Sequence, residues 1–344
     1  MRCPAGGEGG SIRMWVLMRV KMRIRDQHVG NFIALILSAV AATLAPLQTF
    51  IFVYAFVGPF HYLTEIAWLR KKEFYFGGGL VSPRVFVVVA SALCLAASVD
   101  MVIHRGITGY AVGLLLVLSL SARVKNPYVL LAGLVAGYCA KFLVHGLVLF
   151  LAAILPTVVH VYVFTVLFIV SGLVRSSERP MLAWVNPLLL LAMPVLLLRG
   201  SWSYLAPGSY WVHAEAGFSE LHRYLAGLLG ANLHPGMTMM TDPAATGVMR
   251  VLAFIYMYHY LNWFAKTELL KWHLVSRRSW VTILALYGLS IGCYLYSFVL
   301  GFYIVNFLSL LHVLLELPLN WHTGHYLALA IPKLWRRKPA EVAA

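Results

Sequence analysis

The sequence predicts an all-α fold, a polytopic transmembrane helix bundle of about ten spans whose N- and C-termini are both cytoplasmic. Of its 344 residues, 61% are hydrophobic and 11% are charged, with a mean hydropathy of +0.81. Soluble domains are roughly 45–50% apolar and 25% charged. The apolar residues form runs about as long as the ~20 residues that cross a bilayer, and basic residues lie between these runs.

The apolar runs define the predicted elements in chain order. Runs broken by basic clusters, glycine or proline predict spans near 31–46, 48–69, 85–104, 107–122, 127–147, 155–174, 181–198, 246–265, 281–301 and 303–319. The first two are divided at Ala45–Pro46, because proline lacks a backbone donor and favours a tight reversal. The chain is thus divided into a basic cytoplasmic leader (1–30), one transmembrane domain (31–331) with an external loop at 199–245, and a basic cytoplasmic tail (332–344).

The orientation follows from the preference of Lys and Arg for cytoplasmic loops. With the leader inside, every second loop should be basic, and it is. These loops and the tail contain Arg70–Lys71–Lys72; Arg123 and Lys125; Arg175 and Arg179; Lys266, Lys271, Arg277 and Arg278; and Arg336–Arg337–Lys338. The long 199–245 connection is poorer in basic residues and is placed outside, with an interfacial helix predicted over 219–230.

The net charge of +15 does not predict nucleic-acid binding, because that requires a basic face on a folded soluble module. Here the basic residues punctuate apolar runs instead. The expected partners are therefore membrane lipid and a hydrophobic small molecule, with an electron donor or a membrane-complex partner left open.

Two predicted spans carry a histidine and a glutamate four residues apart, which stacks them on one helical face. These pairs are His61 with Glu65 and His312 with Glu316. Counting 1.5 Å per residue from the basic loops puts both pairs and His259 in one layer near the cytoplasm. Ionisable side chains in a bilayer are costly, so the five are candidate metal ligands. A single such pair, however, is more often an internal hydrogen bond.

Further residues extend this candidate site. Beyond Pro318, His322 and His325 are close enough to fold back onto the layer, and His322 is a candidate sixth ligand. Tyr260 and Asn262 could hydrogen-bond the ligands, while Lys266 could pair with a carboxylate or an anionic head group. Tyr260, Asn262 and Lys266 are the candidate catalytic residues. Imidazoles with carboxylates suit iron, manganese or zinc, and a dinuclear centre remains open.

A second polar group is predicted near the outer face. Its members are Asp100, His104, Arg105, Lys141, His145 and His160. The favoured interpretation is structural: an ion pair between Asp100 and Lys141 joins two helices, and hydrogen-bonded histidines lie nearby. A proton path or a pair of haem ligands is the functional alternative.

Three segments carry a resemblance to known proteins: HYLTEIAWL at 61–69, YHYLNWFAK at 258–266 and LHVLLELPLN at 311–320. They resemble segments of uncharacterised polytopic bacterial membrane proteins labelled as beta-carotene cleavage oxygenases. The segment Gly58–Pro59–Phe60–His61, followed by Glu65 four residues after the histidine, is similar to the first motif of bacteriorhodopsin-related carotene dioxygenases. The resemblance implies a multi-pass protein of the bacterial inner membrane with histidine-bound iron.

These observations favour a metal-dependent membrane oxygenase, hydroxylase or desaturase that acts on a lipid or isoprenoid. Two other classes stay open: a haem-binding electron carrier with axial histidines, and a proton-coupled or metal-ion transporter that uses the same groups as transient ligands. A purely structural subunit of a larger complex also stays open.

Overall fold

The computed structural model describes residues 27–72, 81–103, 107–121, 124–143, 154–176, 180–231, 233–234, 237–266 and 275–336, and all regular structure in these ranges is helical. In chain order the helices are α1 (Gln27–Leu44), α2 (Pro46–Phe52, Val53–Val57 and Gly58–Lys72), α3 (Pro83–Ile103), α4 (Ile107–Ser121), α5 (Pro127–Leu143), α6 (Leu155–Phe164 and Thr165–Arg175), α7 (Met181–Arg199), α8 (Ser209–Glu215), α9 (Ser219–Gly227), α10 (Pro243–Ala265), α11 (Arg277–Tyr296) and α12 (Phe298–Arg336).

Among the described residues, seven helices are long and apolar enough to cross a membrane: α1, α2, α3, α6, α7, α11 and α12. Each coincides with one of the ten spans that the sequence predicts. Of the remaining three, α4 and α5 are shorter, with 15 and 17 residues. The third, α10, has 23 residues, but it carries more polar side chains and most of its residues are buried in the bundle. The all-α membrane architecture is thus supported.

The break predicted between the first two spans is observed. Ala45 leaves helical geometry at φ −145° and ψ 64°, and Pro46 begins α2. The chain reverses here: Gly30 of α1 lies near Ala265 at one end of α10, whereas the Leu44 carbonyl accepts a hydrogen bond from Leu205 at the other end. The backbone N–H of the first helical residue has no partner within the helix, so proline at this position removes no helical hydrogen bond. Helix α2 can therefore begin at Pro46 immediately after the reversal.

The last helix differs from its prediction. The spans 281–301 and 303–319 are divided at Ser297, which has extended backbone, and α12 then continues through Pro318 to Arg336. The predicted fold-back beyond Pro318 is therefore wrong. Neighbouring helices can compensate for the backbone donor that a proline removes inside a membrane helix.

Helix α10 lies in the centre of the largest apolar core, packed against α1, α2, α6 and α7. Its closest approach is to α7: a Cβ added at Gly247 would lie 2.7 Å from the carbonyl oxygen of Leu198. Glycine therefore permits the contact between the two backbones. Besides its contact with α10, helix α2 packs against α11 and α12.

Four helices run in the same direction. Phe50 of α2 contacts Tyr256 of α10, and farther along both helices Trp68 contacts Trp263, so α2 and α10 are parallel. Helix α12 runs with them, because His312 contacts His61 and Leu315 packs in the same cluster as Leu69. Helix α6 runs with α12, because His160 contacts His312 and Arg175 lies over Tyr326. On each of these four helices, residues later in the sequence therefore lie nearer the same end of the bundle.

That common end carries basic residues. It contains Arg70, Arg175 and Lys266 from the C-terminal ends of α2, α6 and α10, and Arg277 from the start of α11, which runs antiparallel to α2. We call it the basic end. The opposite end is covered by α8 and α9, which we call the outer cap (Ser209–Gly227). The predicted helix over 219–230 corresponds to α9, which packs through His222 against Phe50, as does Phe218 just before it.

Two segments of the bundle are π-helical, Val53–Val57 in α2 and Leu155–Phe164 in α6. Pro59 has no backbone N–H for the carbonyl four residues earlier, and that carbonyl lies within the first segment. The second contains Pro156 near its start. Such wide turns occur frequently at functional sites because they re-aim side chains. Here one precedes His61 and the other contains His160.

Candidate metal centre

Four buried histidines meet inside the bundle, each from a different one of the parallel helices. They are His61 of α2, His160 of α6, His259 of α10 and His312 of α12, and we call them the histidine ring. Adjacent ring centroids are 4.8 Å apart for His61–His259, 5.2 Å for His259–His160, 4.8 Å for His160–His312 and 5.4 Å for His312–His61. The imidazoles thus form a closed four-sided arrangement.

The nitrogen atoms of the ring converge. The Nε2 atoms of His61 and His259 are 3.1 Å apart, and those of His160 and His312 are 3.0 Å apart. In addition, His61, His259 and His312 each offer a ligand atom such that all three lie within 4.8 Å of one another. This group of three, to which His160 does not belong, could therefore hold a metal ion. The prediction that three distant helices bring these three histidines together is confirmed.

Each nitrogen pair is close enough for both atoms to bind one ion. With metal–nitrogen bonds of about 2.0–2.1 Å, two donors on one ion are about 3.0–3.4 Å apart, depending on the angle between the bonds. The two Nε2–Nε2 distances are 3.1 Å and 3.0 Å, and a hydrogen bond between two imidazoles has the same length. The spacing is therefore compatible with a shared ion and does not select a coordination number.

The two glutamates predicted as ligands contact the ring differently. Glu65 Oε2 lies 3.1 Å from Nε2 of His61, the nitrogen that faces the other imidazoles. Glu316 Oε2 lies 2.9 Å from Nδ1 of His160, on the outer side of that ring. The His–Glu contact predicted within α2 is thus present, whereas the carboxylate of Glu316 reaches across to α6.

The basic end of the site is polar. Glu65 and Glu316 lie beside each other, and Lys266 interacts electrostatically with both carboxylates. Because α2, α10 and α12 are parallel, residues four to seven positions after each histidine all extend toward the basic end. Lys266 therefore offsets part of the negative charge of two buried carboxylates.

The opposite side of the ring is aromatic. The ring of Tyr62 stacks on His312 with centroids 4.2 Å apart, and that of Tyr260 lies 4.7 Å from His61. The two phenol hydroxyls share a short hydrogen bond. Gly58 makes room for this pair, since an added Cβ would lie 2.9 Å from the Tyr62 hydroxyl oxygen. Bulky rings therefore close this side of the site.

A buried hydroxyl orients one of the histidines. Thr165 Oγ1 lies 2.7 Å from Nδ1 of His259, and it also donates to the carbonyl of Val161. With its hydrogen given to the carbonyl, the Thr165 oxygen accepts from Nδ1–H of His259. That leaves Nε2 of His259 unprotonated and free to bind an ion.

The predicted catalytic residues lie around this centre. Tyr260 contacts His61 and Lys266 lies beside both carboxylates, as described above. Asn262 is buried one turn from His259, and its Oδ1 makes no hydrogen bond. His322 is exposed about 15 Å farther along α12 than His312, so the structure does not bring it to the ring.

The prediction that grouped His160 with Asp100 is wrong, since His160 is the fourth member of the ring. Counting residues from the start of its predicted span placed it near the outer face, and no local sequence signal marked it otherwise. The carboxylate of Asp100 accepts hydrogen bonds at 2.7 Å from both the backbone N–H and the hydroxyl of Thr108. The remaining members, His104, Arg105, His145 and the Lys141 side chain, lie outside the described residues.

No family model, curated protein or solved structure matches this chain.

Proposed function

We propose that the chain is an integral membrane oxygenase, hydroxylase or desaturase that uses one iron ion to act on a lipid or isoprenoid. In this proposal it lies in a bacterial inner membrane with about ten spans, α4, α5 and α10 included, and with the basic end and both termini in the cytoplasm. Segments 61–69, 258–266 and 311–320 resemble uncharacterised bacterial membrane proteins that are labelled as beta-carotene cleavage oxygenases, and this proposal takes the same class of chemistry.

The single observation that carries the proposal is the convergence of four buried imidazoles. Four histidines from four helices meet with two nitrogen–nitrogen distances near 3.0 Å. Without an ion, four buried rings and two carboxylates would be a costly arrangement in a bilayer. Such groups are retained in membrane helices when they serve a function.

The donor set supports iron among the candidate ions. Zinc prefers tetrahedral donors, and manganese prefers oxygen-rich sites. Several imidazoles with carboxylates beside them suit iron, and also copper, which elemental analysis distinguishes. When bound, iron would supply the redox chemistry for dioxygen activation. The chain's own residues orient the ligands through Thr165 and Glu316, balance charge through Lys266, and exclude water through Tyr62 and Tyr260.

The geometry does not favour the haem carrier. Two histidines that bind one haem iron lie on opposite faces of the porphyrin, with donor nitrogens about 4 Å apart, twice the metal–nitrogen bond. The two nitrogen pairs in direct contact are 3.1 Å and 3.0 Å apart, and adjacent imidazole rings are 4.8–5.4 Å apart. A macrocycle between adjacent rings would need a wider separation.

The test is elemental analysis and an absorption spectrum of detergent-purified protein, with oxygen uptake measured on an unsaturated phospholipid and, separately, on a long-chain isoprenoid hydrocarbon. Each assay is run with and without a reductant such as ascorbate, because a hydroxylase or desaturase needs two electrons from a donor. We expect about one iron per chain, no Soret band, and uptake with one of the two substrate classes. His61→Ala and His312→Ala should lose both iron and uptake. A Soret band would favour the haem carrier, and iron uptake by reconstituted vesicles without oxygen consumption would favour the transporter.

A further inference from the structure

Glu65 and Glu316 have the same sequence relation to the site, since each follows a ring histidine by four residues. Their carboxylates nevertheless face different nitrogens. Glu65 Oε2 lies 3.1 Å from the inward Nε2 of His61, whereas Glu316 Oε2 lies 2.9 Å from the outward Nδ1 of His160. The two residues are therefore not equivalent in what they can do for an ion.

The distance from Glu65 to His61 repeats the spacing within the ring. The two Nε2–Nε2 distances are 3.1 Å and 3.0 Å, and the oxygen of Glu65 is one more donor at 3.1 Å from one of these nitrogens. An oxygen this close to the inward nitrogen of His61 is on the side of the ring where an ion would bind. Glu65 thus lies on the inner side of a ligand, whereas Glu316 lies behind one.

Charge also distinguishes the two positions. Four neutral imidazoles leave the charge of a divalent ion uncompensated in a buried site. Glu65 and Glu316 are both buried and interact with each other, and the Oε2 atom of each lies against a ring histidine. One carboxylate on the ion would compensate its charge while the second contacts His160, and Lys266 lies beside the pair.

We infer that Glu65 is a fifth ligand of the ion, and that Glu316 is a positioning residue that orients His160. This inference rests on the proposed metal centre and specifies its ligands. Four histidines and one carboxylate would leave a six-coordinate ion a single exchangeable position. A small molecule would enter there. The organic substrate would then bind beside the ion rather than to it.

The experiment uses cobalt(II) as the probe, because its visible bands report the number and type of ligands. The full-length protein is stripped with a chelator, loaded with cobalt(II), and compared with Glu65→Gln and Glu316→Gln. The two variants are matched in residue type, substitution and spacing from a ring histidine. We expect Glu65→Gln to change the position and intensity of the cobalt bands. Glu316→Gln should keep the spectrum and bind cobalt about 10- to 100-fold more weakly, the usual effect of losing an outer partner.

A second variant covers the case in which Glu65→Gln misfolds. Glu65→Ala leaves space for a small carboxylate, so adding acetate should restore the wild-type cobalt spectrum, whereas acetate should not alter Glu316→Ala. Azide titration of the wild-type protein should give one binding step. If the Glu65 variants keep the wild-type spectrum, or if only the Glu316 variants change it, the ligand assignment is overturned. If the wild-type protein binds no cobalt and no iron, the metal-centre proposal fails as well.

Discussion

The histidine ring and the outer cap both bury a histidine beside a glutamate, yet only the ring has the geometry of a ligand site. In the cap, His222 Nδ1 lies 3.6 Å from Glu215 Oε1, and that oxygen already accepts a hydrogen bond from the backbone of Met239. The ring of His222 stacks on Phe218. One histidine here serves packing and one glutamate anchors a loop.

The ring differs because its donors arrive from four separate helices and point at one another. Burial is equally complete in both places, at 1% exposure for His222 and 1% for His160. Burial of a His–Glu pair is therefore not what marks a metal site. Convergence of imidazole nitrogens from several helices is the distinguishing feature.

Removal of a ring histidine should have the strongest effect on metal binding. His160→Ala takes away one of four nitrogens and leaves Glu316 without its contact at 2.9 Å, so bound iron should fall from about one per chain to near zero. His222→Ala is the matched control, a buried histidine in the cap. The His222→Ala protein should keep its iron. Equal loss of iron from both variants would show that the ring histidine is no more important for metal binding than the cap histidine.

The next largest effect concerns the hydroxyl that orients His259. Thr165→Val keeps the shape of the side chain but removes the acceptor at 2.7 Å from Nδ1. The affinity for iron or cobalt, measured by competition with a chelator, should fall about 10- to 100-fold, the usual effect of removing a hydrogen-bond partner of a metal-binding histidine. Thr246→Val, at a buried threonine that donates to Met239 in the cap region, should leave that affinity unchanged.

A smaller effect concerns the pH dependence of stability through the cap. Burial lowers the pKa of His222 below 6.5, and Glu215 opposes this only in part. As pH falls below that value, the unfolded chain binds the proton and the folded chain does not, so His222 destabilises the fold by up to about 1.4 kcal/mol per pH unit. His222→Phe removes this contribution.

Thermal unfolding of the two proteins at pH 7 and pH 5 measures this difference. Wild-type stability relative to His222→Phe should decrease on acidification, and groups common to both proteins cancel. A relative stability that rises toward pH 5 would mean that the histidine becomes charged in the folded cap.

The smallest effect is expected at His322. This residue is exposed and lies about 15 Å along α12 from His312, so His322→Ala should change iron content and affinity by less than about twofold, the range expected of a surface substitution. Chelator competition beside wild type measures it. A tenfold loss would show that His322 reaches the ring.

The sequence was sufficient to predict the helical class, the reversal before Pro46, and the meeting of His61, His259 and His312. Hydropathy and basic loops locate span ends, and 1.5 Å per residue then converts sequence position into depth. Because the three histidines lie on helices of the same direction, errors in depth largely cancel among them.

His160 and the separate roles of the glutamates could not be predicted in this way. Depth counting depends on where a helix begins, and the π-helical Leu155–Phe164 segment alters both rise and rotation around His160. Spacing gives Glu65 and Glu316 the same relation to their histidines. Which nitrogen each carboxylate meets depends on the packing of α6 against α12, which no local pattern encodes.

X-ray absorption spectroscopy at the metal edge of the purified protein can show how many histidines bind the ion, because imidazoles give a characteristic outer-atom scattering. We expect one ion per chain surrounded by four imidazoles with metal–nitrogen distances of about 2.0–2.1 Å. An ion with two or fewer imidazoles, a porphyrin pattern, or no stoichiometric ion would contradict this expectation.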